Sequence, residues 1–243
     1  MDKIISITLG IFIVILFAFT GIITYTTYTE TMYRNTIAGT YYYTCNITTD
    51  SSLYNVTLFI PVPDDSSGNS PVVSAFSSHL VMGVPAGWET TLYDTGKATL
   101  VKVTTPAIVP PQGTSASNPY TITLSSTTSS HTPVNTRDPV GNSAVFRPVQ
   151  ALRETGCPEG SAYGSSCFTY TTSIFADYTT SPGAVVIVTS AVTGKNTWKI
   201  FGPRSNEYHT EIGVVLKGDN HGWVVPDGLL ASGIGTYDAP AGS

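Results

Sequence analysis

The chain has 243 residues and a net charge of −5, and 11% of its residues are charged, less than half of the ~25% usual in soluble proteins. Serine and threonine fill the gap, with 25 Ser and 37 Thr. This balance excludes the dense Lys/Arg patch of a nucleic-acid binder, the low hydrophobicity of a disordered chain and the Glu/Lys-rich heptads of a coiled coil.

From Ile4 to Thr29 no residue is charged, and Ile4 to Ile23 is nearly all Ile, Leu, Val, Phe and Gly. Twenty residues at 1.5 Å rise span roughly 30 Å, the hydrocarbon thickness of a bilayer. A cleaved secretory signal has a shorter apolar run and small residues at its cut site, and Ala18-Phe19-Thr20 matches poorly. A buried core helix would need surrounding helices, which the sequence does not supply. A retained transmembrane or filament-core helix is the preferred reading, within an amino-terminal region of 1–39. Its packing residues are Ile4, Leu9, Phe12, Ile15, Phe19 and Ile23.

Thr24 to Thr36 contains six Thr, with Tyr25, Tyr28 and Tyr33 among them. Tyr is enriched where a membrane helix leaves the bilayer. Tyr25, Tyr28 and Met32 also share one helical face. Thr is a weak helix former because β-branching restricts χ1, so a helix here needs something to pack on. A juxtamembrane linker and a helical continuation ending near Gly39 both stay open. Charges flanking the apolar run (Asp2 and Lys3 before it, Glu30 and Arg34 after it) barely decide its orientation.

From Thr40 onward the chain reads as strands: 41–44, 53–62, 88–93, 98–105, 120–124, 168–175, 184–192, 197–201, 207–216 and 222–225. Gly194-Lys195-Asn196 and Gly218-Asp219-Asn220 read as short hairpin loops. Long loops are expected at 64–71, 108–118 and 125–141, with a short helix near 148–154. The expected architecture is an N-terminal apolar helix (1–39) followed by an all-β antiparallel sandwich, immunoglobulin-like or jelly-roll-like, over 40–243.

Two glycosylation acceptors, at Asn46 and Asn55, point to an exterior location. Cys157 and Cys167 bracket a Gly/Ser loop and read as a disulfide contributing roughly 2–3 kcal/mol. Cys45 is then left over, buried and inert or paired with another chain.

Catalytic motifs are missing: no Gly-x-Ser-x-Gly, P-loop, Cys-x-x-Cys or His-Glu-x-x-His occurs. Three weaker constellations remain. His209 and Glu211 share a strand face, and a hairpin with Asp219 could bring His221 to them as a metal site; polar residues on a solvent face are the preferred reading. Asp64 to Asn69 offers oxygen ligands for calcium without a distal Glu, and a solvated turn is preferred. Trp88, Trp198 and Trp223 could form a sugar-stacking platform, but core tryptophans are preferred. No catalytic, cofactor-binding or metal residue is assigned, and no enzyme is expected.

The layout of Ile4–Ile23, the aromatic continuation Tyr25, Tyr28 and Tyr33, and the Thr-rich β region resembles archaeal type IV pilin-like filament subunits, archaellins included. The resemblance implies a helix that packs in a filament core and a glycosylated β-rich head that faces outward. The chain departs from it in having no basic-Gly processing site before the helix and no Glu near the helix start. The expected function is a structural subunit of an extracellular filament with a β-domain exposed for adhesion. Its partners would be other copies of itself, membrane lipid before assembly and surface glycans, with no nucleic acid. The alternative is a single-pass membrane-anchored extracellular or virion-surface sandwich that binds a carbohydrate or protein ligand.

Overall fold

Residues Asp2–Thr36 form one α-helix of 35 residues, α1, in a computed structural model that describes residues 2–158 and 165–237. Its threonines fit the helix by bonding back one turn. Thr8 donates to the Ile4 carbonyl, Thr20 to Leu16, Thr24 to Thr20, Thr31 to Thr27 and Thr36 to Met32. Each hydroxyl is thereby satisfied without water. The span is long and apolar enough to cross a membrane, with a mean hydropathy of 2.6. Every side chain from Lys3 to Tyr28 is exposed.

Among the described residues twelve strands follow, with two short helices. They are β1 (Ala38–Thr49), β2 (Leu53–Pro61), α2 (Pro71–Ser77), β3 (Glu89–Asp94), β4 (Thr99–Ile108), β5 (Tyr120–Ser130), α3 (Pro139–Asn142), β6 (Gln150–Thr155), β7 (Ser166–Thr171), β8 (Ile174–Thr180), β9 (Val185–Lys199), β10 (Pro203–Lys217), β11 (Asn220–Val224) and β12 (Asp227–Gly235). One sheet runs β5-β1-β9-β10-β12-β7-β6 and the other β11-β8-β2-β4-β3. Side chains alternate in and out along the strands. Tyr43, Cys45, Ile47, Leu124, Val188 and Ile212 of the first sheet join Leu58, Ile60, Val103, Ile174 and Ala176 of the second in one buried core. This is an antiparallel all-β sandwich preceded by an apolar helix.

The chain divides into two compact units. Among described residues, the first holds 2–37, 197–205 and 236–237; the second holds 38–196 and 206–235. Within the first, Thr36 Oγ1 accepts from the Lys199 amide at 2.9 Å, and Tyr33 meets Trp198 edge to face at 5.6 Å.

Several local expectations are corrected. Gly194-Lys195-Asn196 is no hairpin loop but lies inside β9; the hairpin turns at Phe201 and Gly202. Gly194 is there because a Cβ would lie 2.2 Å from the Tyr208 ring. The turn at Gly218 does not form a hairpin either, since β11 pairs with β8 in the other sheet. The run 168–175 is broken at Thr172, its halves serving different sheets. Ser125–Ser130 are not loop but the end of β5, paired with Gly39–Thr44. The helix expected near 148–154 is the exposed edge strand β6, whose backbone pairs with β7.

Candidate functional site

Outside α1, exposed aromatic surface concentrates on the outer face of the five-stranded sheet. Inward positions of β2 and β8 are filled by Leu58, Ile60, Ile174 and Ala176, so the alternate positions Phe59 and Phe175 point out. Register places Trp223 opposite Phe175, and Phe175 opposite Phe59. The rings touch in sequence: Trp223 to Phe175, Phe175 to Phe59 and Phe59 to Tyr93, each with centroids 5.5 Å apart and steeply inclined. Lys102, opposite Phe59 on β4, holds its Nζ 6.0 Å from that ring. Edge-to-face contacts of this kind are worth about 0.5–1.5 kcal/mol beyond burial. They fix a row of rings across the sheet, and Trp223 at its end is 60% exposed. A polar row runs beside it: His221 Nδ1 lies 2.7 Å from Asp177 Oδ1, with Thr57 opposite Asp177.

A second aromatic group lies in the unit that contains α1. The β9–β10 turn presents Phe201 at a φ of 57°, a left-handed conformation disfavoured for a residue with a Cβ. Its ring stacks on Tyr25 at 6.0 Å and meets Tyr28 at 5.6 Å. Tyr25 and Tyr28 therefore contact a ring of their own chain.

The candidates from the sequence separate. His209 and Glu211 lie on β10, in the seven-stranded sheet, 3.8 Å apart, and His209 Nδ1 is bonded to Thr193 Oγ1. His221 lies on β11 in the other sheet and pairs with Asp177. Asp219 accepts from the Thr180 amide at 2.6 Å. No three-ligand site forms from these, and among the described residues no group of three or more His, Cys, Asp or Glu could hold a metal ion. In the Asp64–Asn69 loop the carboxylates are spoken for. Asp65 Oδ1 accepts from the Ser67 amide and hydroxyl and from the Asn69 amide. Burial raises the Asp65 pKa, but these bonds outweigh it and hold the carboxyl below its ordinary value. Asp64 turns inward, accepting from the Thr99 amide and facing Arg147 at 3.3 Å. Trp198 is buried and Trp88 packs on the core, whereas Trp223 is exposed, contrary to the expectation of a core residue.

Cys157 and Cys167 are joined in a disulfide; the loop residues 159–164, including Gly160 and Gly164, lie outside the described residues. Cys45 is buried and free, and burial raises its thiol pKa. Asn55 is exposed at a bulge of β2 with a φ of 54°. Asn46 is half-buried in β1, its Oδ1 accepting from Thr123.

The fold and these surfaces define a class by architecture alone: an apolar helix followed by an all-β sandwich. No family model, curated protein or solved structure matches the chain.

Proposed function

We propose that the chain is a single-pass, membrane-anchored extracellular sandwich whose head makes adhesive contact with a carbohydrate. The observation that carries the anchor is α1, apolar and exposed on every side from Ile4 to Ile23. A helix apolar all round suits lipid or a packed core, whereas a helix lying on a soluble domain needs only one apolar stripe. The disulfide supports an oxidising exterior. The adhesive part rests on the row Trp223, Phe175, Phe59 and Tyr93, exposed at Trp223 and Tyr93 and half-buried at the two phenylalanines between them, bordered by the hydroxyl of Thr57 and the Asp177–His221 pair. Ring faces stack on sugar C–H groups, and the polar border can bond their hydroxyls. Recognition here is by binding, with no catalytic step. The full chain in nanodiscs should retain polysaccharides from a glycan panel, and Trp223→Ala should abolish retention. Equal retention by that variant would remove the row from the function.

The second reading is a pilus- or archaellum-like filament subunit with α1 in the filament core. It is supported by the continuity of the helix through the Thr-rich stretch to Thr36. The contacts of Tyr25 and Tyr28 with Phe201 give the continuation a partner within its own chain, while both tyrosine rings stay about half exposed. Negative-stain microscopy of native material separates the two: filaments would replace the first reading with the second.

A further inference from the structure

We infer that the β9–β10 turn is a second membrane contact, an interfacial foot that seats Phe201 among anionic lipid headgroups beside α1. This rests on the anchored reading. The apolar run Ile4–Ile23 accounts for the hydrocarbon thickness, and Tyr28 lies five residues further, roughly 7.5 Å along the axis at 1.5 Å per residue. The headgroup layer on each side of a bilayer is about 5–8 Å deep. Tyr25 and Tyr28 thus fall within that layer, where amphipathic rings concentrate. Phe201 touches both rings and must share their depth. It is 70% exposed, so the apolar face it presents is not consumed by the contact with α1. The turn holds it there in a backbone conformation that a β-carbon disfavours, which marks the placement as one imposed by the surrounding structure.

Charge agrees. The chain is net acidic, yet in the described residues 24–37 and 197–205 Glu30 is paired with Arg34, and Lys199 and Arg204 add positive charge with no further acid. Lys199 is exposed two residues from Phe201. A basic collar at the headgroup level complements anionic lipid, and its attraction falls off within a Debye length.

The test uses the full chain reconstituted in phosphatidylcholine vesicles with and without phosphatidylglycerol. Phe201→Cys carries an environment-sensitive fluorophore; Cys45 is buried and does not compete. Tyr28→Cys and Ile15→Cys, labelled the same way, mark the interface and the bilayer interior. The label at 201 should be quenched by lipids spin-labelled near the headgroup, as at 28, and little by lipids labelled at the chain end. Adding Lys199→Gln should lower the ratio of seated to unseated turn by about fivefold in phosphatidylglycerol vesicles, the factor carried by one basic residue near an anionic surface. A label at 201 that stays fully accessible to aqueous quencher, while Ile15 is quenched from the chain ends, would overturn the inference and leave the anchor intact. If Ile15 is not quenched from the chain ends either, the anchored reading itself fails. Cross-linking between copies at 201 without lipid quenching would assign the turn to contact between chains and overturn the inference.

Discussion

Gly194 on β9 lies directly under the ring of Tyr208 on β10, and a Cβ at 194 would stand 2.2 Å from Tyr208 Cε1. Tyr208 cannot step aside, because its buried hydroxyl donates to the Ala144 carbonyl. Gly228 and Tyr170 repeat the relationship, with a Cβ 2.5 Å from the ring. Gly194→Ala should therefore cost about 1–3 kcal/mol, the range for overpacking a filled core. Gly202→Ala, where nothing lies within 4 Å, should change stability by less than about 0.5 kcal/mol. Denaturant midpoints of the two variants check the difference.

Asp64 is buried against Arg147, and burial pushes its carboxyl above the ordinary value, although bonds from Thr99 and the Arg147 charge oppose the rise. A carboxyl with a raised folded pKa binds its proton more tightly when folded. Its contribution to stability is complete below the unfolded pKa and is lost as pH rises through the folded one. Arg147→Met strands the charge and should cost about 3–5 kcal/mol near neutral pH. The loss should shrink on acidification as Asp64 takes up a proton. Thermal melts of the variant and the parent across the acid range would show this convergence; a gap independent of pH would contradict it.

The Cys45 thiol lies in the core, its pKa raised by burial. The native chain should show no thiol reactive toward an aromatic disulfide reagent. One thiol should appear on unfolding and three after reduction. Reduction under native conditions should lower stability by roughly 2–3 kcal/mol, as expected for a loop of this length.

Trp198 joins the end of α1 to the β9–β10 turn through Tyr33. Trp198→Ala should release the last turns of the helix, raising amide exchange over residues 29–36 while leaving exchange in β2, β4 and β8 unchanged. Unaltered protection at 29–36 would show that Tyr33 and the Thr36–Lys199 bond hold the turn without it.

The helix was legible because twenty apolar residues admit few other readings, and most strands because β-branched and aromatic runs are separated by turn residues. Gly194 misled because the same residue serves a turn and a close ring approach, and only the partner strand distinguishes them. Edge strand β6 escaped notice because Gln150, Leu152, Arg153 and Glu154 are good helix formers; its pairing with β7 is a tertiary fact. The aromatic row was not legible: Trp223 reads as a core residue in the sequence, and the order β11-β8-β2 that aligns it with Phe175 and Phe59 is not written locally. The contact of Tyr25 and Tyr28 with Phe201 was hidden for the same reason: some 170 residues separate them in the chain, and six Thr costing about 3–4 kcal/mol in helix propensity gave no hint of it.

Only Ile37 separates α1 from β1, so the covalent path for a pull between an anchored helix and the head runs through that strand, beside the noncovalent ties of Tyr33 to Trp198 and of Thr36 to Lys199. β1 is interior, flanked by β5 and β9, and eleven consecutive positions, Gly39 to Thr49, are matched to Ser130 through Tyr120. Ladder hydrogen bonds run across the strands, so tension along β1 loads them side by side in shear instead of opening them one at a time. Rupture under load is governed by the rate of unfolding, and a strand held this way yields slowly. A strand paired in this way resists a load applied along its axis, a mechanical property that an anchored surface protein tugged by flow or by a bound neighbour would use.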